Sequence, residues 1–310
     1  YIPDSEDEVF VQADSAQAEA RVVFLLATDE QALIDIDTHD YHALTASWFF
    51  GGVEDDYSKK TLGYESPIRF AGKTLRHAGH LGAGKRRAAI SVNTDARKYK
   101  IPITITEQIS DRALKIFHAK QPKIQHVFHA GIIEEIRKTR KLIAPVPYGI
   151  KAKFGGLRTF YERWGDELNR QAFSYIPQRA VTDNTKAAGL RIKAKIPSIK
   201  IVMESHDALL FCIPKVKVSE WTPIIKQEME RPIDFSNCSL PRRSLKIPCE
   251  IETGENYQDL KKFKTVFQET IKLEMKPKTL QEEFMAPPIG GDSDLTNIIY
   301  EEQVRKLGLE

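Results

Sequence analysis

An α+β fold is predicted for this 310-residue chain on three observations. Short apolar runs of strand character stand near the start, at residues 9–13, and again at residues 199–214, where "IKIVMESHDALLFCIP" reads as two strands meeting at Ser205-His206-Asp207. Between them lies a long stretch of mostly polar, helix-forming sequence. An apolar content of 41% then suffices to bury a substantial core, divided between two subdomains.

Each element follows from local chemistry. Residues 16–26, rich in Ala, Gln, Glu and Arg, predict the start of a helix. "HALTASWFF" at 42–50 predicts a short helix stopped by Gly51 and Gly52. A loop runs to Pro67, and from Ile68 "IRFAGKTLRHAGHLGAG" is helical until Gly79, Gly82 and Gly84 loosen it. Residues 105–141 predict one or two long polar helices interrupted at Pro122. Pro145, Pro147, Gly149, Gly155 and Gly156 mark a subdomain edge, and residues 168–188 return to helix, broken by Pro177. Near the end, "MAPPIGGDSD" (285–294) reads as a linker and "LTNIIYEEQVRKLG" (295–308) as a short amphipathic helix.

Composition excludes several classes. There is no apolar run of 18 or more residues and no charged-then-apolar leader, so neither a membrane span nor a secretory signal is expected, and the cytoplasm is the default compartment. Cys212, Cys238 and Cys249, odd in number and widely spaced, fit neither a disulfide framework nor a zinc cluster and read as reduced bystanders. His118, His126 and His129 lack a Cys or carboxylate to complete a metal shell and read as surface or duplex-facing residues. Walker, dinucleotide and nucleophile-elbow motifs are missing.

Charge is unevenly spread beneath a net +3: residues 1–65 hold 15 acidic against 3 basic residues, whereas residues 69–100 hold 9 basic against one acidic. A polyanion fits the second block. Arg69, Lys73 and His77, at four-residue steps, form one stripe of a helix with Arg76 and His80 at its border, a pattern that suits a triphosphate and also describes an ordinary solvated face.

Two aspartates raise a sharper question. Asp14 ends the first apolar strand and Asp207 sits at the tip of the later hairpin. Singly, each reads as a turn or helix cap. Brought together, they would repel unless divalent cations lay between them, the arrangement used for in-line phosphoryl transfer; magnesium, which takes oxygen ligands and substrate phosphates, is the expected metal.

These segments resemble the motifs of family A DNA polymerases. "ADSAQAEARVV" is similar to motif A, usually Asp-Tyr-Ser-Gln-x-Glu-Leu-Arg, with Asp, Gln, Glu and Arg in register. "RFAGKTLRHAGHLGAG" resembles motif B, and "VMESHDALLF" resembles motif C, commonly Val-His-Asp-Glu. "DYHALTASWFFG" matches the Asp-x-His-x-x-Thr-Ala helix after motif A. "RQAFSYIPQRAVTD" resembles the Arg-x6-Pro-x-Gln segment, allowing one residue of spacing difference around Pro177. "LKIPCEIETGENY" resembles the closing strand, so the likeness runs from residue 1 to 257 in family order.

The resemblance implies a right-hand polymerase with an antiparallel palm sheet and helical fingers: palm at 1–40 and 166–262, fingers at 41–165 with the motif B helix at 68–82, and an extension at 263–310 without counterpart. It implies template-directed addition of dNTPs to a primer 3′-hydroxyl in DNA replication. Asp14 and Asp207 would hold two Mg2+ ions, for which Mn2+ substitutes. Arg69 and Lys73 would bind the dNTP triphosphate, Lys73 also protonating the leaving pyrophosphate, with His77 stacking near the base or phosphates. Glu19 would exclude a 2′-hydroxyl and Gln17 would help close that pocket. Arg170 and Gln178 would touch the minor-groove side of the DNA primer-template, and His206 would support the primer end.

The chain departs from the pattern at Ala208, where Glu is common, at Leu81, where Tyr usually packs against the templating base, and at Ser15-Ala16 for Tyr-Ser. Thumb and exonuclease are expected outside this chain, in an upstream segment or a second polypeptide, which points to a split or processed polymerase and, with the unusual motif B, to a phage source. Rival readings are a single-subunit RNA polymerase, disfavoured by Glu19, and a non-catalytic primer-template-binding replisome subunit, disfavoured by the two acids.

Overall fold

The computed structural model describes residues 2–153 and 155–262; the expected linker, C-terminal helix and 263–310 extension lie outside the described residues. In chain order the elements are β1 (Glu8–Ser15), α1 (Ala18–Leu26), α2 (Glu30–Thr38), α3 (Tyr41–Phe50), α4 (Lys59–Leu62), α5 (Pro67–His80), α6 (Lys85–Lys98), α7 (Glu107–Lys120) and α8 (Ala130–Thr139). They continue as β2 (Lys141–Ile143), β3 (Leu157–Thr159), α9 (Asp166–Lys195), β4 (Lys200–Ser205), β5 (Ala208–Pro214), α10 (Val218–Met229), β6 (Cys249–Gly254) and β7 (Lys261–Lys262). The fold is α+β, as expected.

β1 lies at the centre of an antiparallel five-stranded sheet ordered β4-β5-β1-β6-β7. Its two-residue alternation sorts side chains onto two faces. Val11 and Ala13, with Leu209, Phe211, Ile213, Cys249 and Ile251, pack on Ala188 and Ile192 of α9, on Ile196 just after it, and on Trp221, Ile225 and Met229 of α10. Each fully buried Leu, Ile or Phe of that layer is worth roughly 1.5–3 kcal/mol in area removed from water. The opposite face carries Phe10, Leu210 and Cys212 at one end and Asp14 at the other. The outer helices add charge to their packing: Glu228 of α10, almost wholly buried, is ringed by Arg191, Lys195 and Arg231, which hold its carboxyl down near 2.

The second core is helical, built from α1 to α3, α5 to α8 and the first half of α9, and α1 is buried along nearly its whole length. Caps set the entries: Asp40 accepts from the N–H of Ala43 at the start of α3, and Ser66 accepts from the N–H of Arg69, with Pro67 at the first position of α5. Phe24 meets Tyr41 and His80 edge to face within this core, and His80 meets Phe117 at a tilt.

Several expectations change. α9 does not break at Pro177 but runs for 30 residues through it. The proline forfeits one backbone bond, which the buried Phe173, Ile176, Ala180 and Val181 on either side outweigh. Gly79 stays helical because the ring of Phe117 comes to where its Cβ would lie, at 2.5 Å; the chain turns at Gly82, whose φ of +65° suits glycine and whose Cβ would meet Phe173 at 2.7 Å. Residues 105–141 hold α7 and α8 with a π-helical stretch, Ile124–His129, between them. His129 is not surface-facing: it is buried, its ring stacked on Phe173 at 4.0 Å and its Nε2 at 2.7 Å from the His80 carbonyl oxygen. All three cysteines are free and buried, with burial pushing the Cys238 and Cys249 thiols up to about 11 and about 12.

Candidate active site

The two aspartates converge. Asp14 is paired in register with Ala208, so Asp207 at the β4–β5 tip stands next to it, and the Ser15 N–H donates to the Asp207 carbonyl at 3.1 Å. On its other side Asp14 is opposite Glu250 of β6, and Glu252 follows on the same face. Burial raises the Asp14 carboxyl from 3.8 to about 7, helped by the charges of Asp207, Glu250 and Glu252 and opposed by Lys73. Burial likewise raises Asp207, against the pull of its own backbone N–H, His206 and Lys73. Among the described residues neither aspartate has an ion-pair partner in direct contact. Two half-buried carboxylates held together in this way present an all-oxygen donor set that fits a divalent cation. The described residues contain no compact group of three or more metal-ligating side chains, so the remaining ligands would have to come from water and substrate.

The turn after Asp14 is clamped. Arg21, buried, donates through Nε to the Ala16 carbonyl at 2.9 Å and pairs with Asp37 at 2.7 Å, while the Ala16 N–H donates to the Pro248 carbonyl. Gln17 takes a left-handed conformation, φ 51° and ψ 40°, and delays the helix to Ala18. That turn points Gln17 and Glu19 toward α5. Gln17 Oε1 accepts from Arg76 at 3.2 Å, and Glu19 lies 3.8 Å from His77 Nδ1. Glu19 is raised by burial and then by Asp207, which places it in the same acidic field.

The expected basic stripe on α5 splits. Lys73 and His77 are exposed and face the carboxylates and Glu19. Arg69, only 7% exposed, is held by Asp40 through Nε and Nη2 and by Glu65 through Nη1 at 2.7 Å. Arg76 and His80 do not border a solvent stripe; both are buried, and Arg76 lies 4.9 Å over the Tyr41 ring. Burial lowers Arg76 to about 10. The wheel geometry of the sequence could not reveal this, because α5 packs on α3 and α7 and submerges two of its faces.

His42 lies on α3, in the Asp-x-His-x-x-Thr-Ala segment. Its imidazole sits among Arg76, Arg69, Lys73 and Lys59, its Nδ1 has no hydrogen-bond partner, and burial with that cationic field drives its pKa well below the ordinary value. Arg170 and Gln178 both lie on α9, Arg170 paired with Glu167 and Gln178 exposed, and exposed His206 forms the tight turn with φ 48°.

A family model described as DNA polymerase family A matches residues 1–259. The chain is 21% identical over 247 residues to the thermostable DNA polymerase I of Thermus thermophilus, covering 79% of this chain and 26% of that protein. It therefore spans about a quarter of that relative's length. The fold is similar, with a TM-score of 0.60 and 16% identity, to the POL domain of Pol1 from M. smegmatis in complex with DNA primer-template and dNTP, over 84% of this chain and 42% of that one. With the match extending across all but the last part of the sequence, the chain belongs to DNA polymerase family A.

Proposed function

We propose that this chain adds dNTPs to a primer 3′-hydroxyl on a DNA template, in DNA replication. The observation that carries the reading is the convergence of Asp14 and Asp207 in front of Lys73. These two carboxylates would hold two Mg2+ ions, which supply charge stabilisation at the attacking and leaving oxygens when bound.

The protein's own residues divide the remaining work. Lys73, with Arg69 behind it, orients the triphosphate, His77 lies near the base or phosphates, and Lys73 gives its proton to the departing pyrophosphate. Arg69 reaches a phosphate only by loosening its contact with Glu65, so its first task is to fix α5 against α3 through Asp40. Glu19, steadied by His77, fills the space beside the sugar and excludes a 2′-hydroxyl, and Gln17, tethered to Arg76, closes that side. Arg170 and Gln178 on α9 lie along the primer-template, and His206 supports the primer end.

Primer extension tests the reading: with Mg2+, a recessed primer-template and matched dNTPs, the wild-type chain extends the primer, and Asp207→Asn reduces the rate by at least about 1,000-fold. Undiminished extension by Asp207→Asn would sink it.

A further inference from the structure

The two-stranded β2–β3 ribbon and the turn leading into α9 carry an exposed aromatic surface in a strongly basic setting, none of it used by the candidate site. Residues 137–165 contain 8 Lys or Arg against a single acid, Glu162. Tyr161 is 88% exposed and Trp164 51% exposed. The indole is not loose. Arg140, in a left-handed conformation at the end of α8, donates from Nε to the Phe160 carbonyl at 2.9 Å and from Nη2 to the Glu162 carbonyl at 2.6 Å. Its guanidinium carbon then lies 5.0 Å from the Trp164 ring centroid. One face of the indole is thus covered by a fixed planar cation while the residue remains half open to solvent.

We propose that this surface is a stacking platform for single-stranded DNA, taking the unpaired template strand ahead of the primer terminus. A planar cation behind an indole fits a base stacked on the free face, and surrounding Lys141, Arg158 and Arg163 supply the backbone counter-charge. The platform is joined to the DNA-handling helix: Leu142 pairs with Arg158 in the ribbon, and Arg158 donates to Gln171 of α9, the neighbour of Arg170. An acidic peptide would satisfy the charge but leave the flat aromatic face without a matching surface. The assignment rests on the polymerase reading above only for which strand is bound.

Fluorescence anisotropy with a labelled oligothymidylate tests it, at fixed salt. Trp164→Ala and Tyr161→Ala each weaken binding by about fivefold or more, the lower end of what loss of one base stack produces, while Trp164→Phe retains most of it and Tyr64→Ala has no effect. Trp48 is half-buried and Trp221 buried, so oligothymidylate also quenches an intrinsic fluorescence signal that Trp164→Phe abolishes. The proposal is overturned if Trp164→Ala binds oligothymidylate within twofold of wild type, or if the same loss is seen with blunt duplex or with poly-glutamate as ligand. Primer extension across a one-nucleotide template overhang, run in parallel, is unchanged in Trp164→Ala; loss of wild-type extension together with intact oligothymidylate binding would condemn the polymerase reading and leave the platform standing.

Discussion

The Ser15 N–H donates to the Asp207 carbonyl at 3.1 Å, and this one bond fastens the tip of the β4–β5 hairpin to the end of β1. Asp14 and Asp207 are neighbours through backbone pairing, and the cost of gathering their charges is borne by the pairing of β1 with β5 and β6.

That cost has a pH signature. Asp14 keeps its proton in the folded chain up to about 7 but loses it near 3.8 when unfolded. Folding therefore takes up a proton between those values, and stability from this group falls as pH rises from about 4 to about 7, then levels. The gap sets a ceiling of about 4 kcal/mol, reduced to about 1–2 kcal/mol by partial exposure. In metal-free urea denaturation, Asp14→Asn is expected to flatten this decline and to be the more stable protein at pH 7.5. Mg2+ should close the difference. An identical pH slope in wild type and variant would contradict the assignment.

Under the proposed function, Glu19→Ala would open the space beside the sugar. Relative incorporation of rNTP over dNTP is expected to rise by roughly 10- to 200-fold, the range that one small group in a pocket is worth. Competition assays with matched nucleotides check this, and unchanged discrimination would remove Glu19 from the sugar pocket.

Asp40 both caps α3 and neutralises buried Arg69. Asp40→Ala leaves that guanidinium with Glu65 alone, and a loss of about 3 kcal/mol is expected from chemical denaturation. The KM for dNTP should rise as well, since α5 carries Lys73. A loss under about 0.5 kcal/mol would mean the pair is solvated in solution.

Gly72 lets α5 approach α3 closely: a Cβ there would come 2.8 Å from the Ala46 Cβ and 2.9 Å from its Cα. Gly72→Ala gains helix propensity yet is expected to cost about 1–3 kcal/mol net, because backbone must shift. A thermal melt decides the sign.

Period-two alternation made β1 and the hairpin legible, and with them the meeting of Asp14 and Asp207, because strand chemistry and the polymerase resemblance pointed the same way. α5 was legible as a helix but not in its contacts. A stripe of Arg69, Lys73 and His77 looks uniform along the sequence, whereas partners far along the chain, Asp40 for Arg69 and Gln17 for Arg76, decide which cations are spent on structure. His129 was misread for the same reason: its partner Phe173 sits on another helix. The burial of His42 beside cations was not legible in the "DYHALTA" motif, because Arg69, Lys73 and Arg76 come from α5. The unbroken α9 was hidden because a proline's local penalty says nothing of the two cores packed along its length.

Anomalous diffraction from crystals grown with Mn2+, primer-template and a matched dNTP tests the central claim most directly. Manganese peaks within bonding distance of both Asp14 and Asp207 are expected, lost in the Asp14→Asn, Asp207→Asn double variant. Peaks elsewhere, or a metal bound equally well by the double variant, would contradict the account.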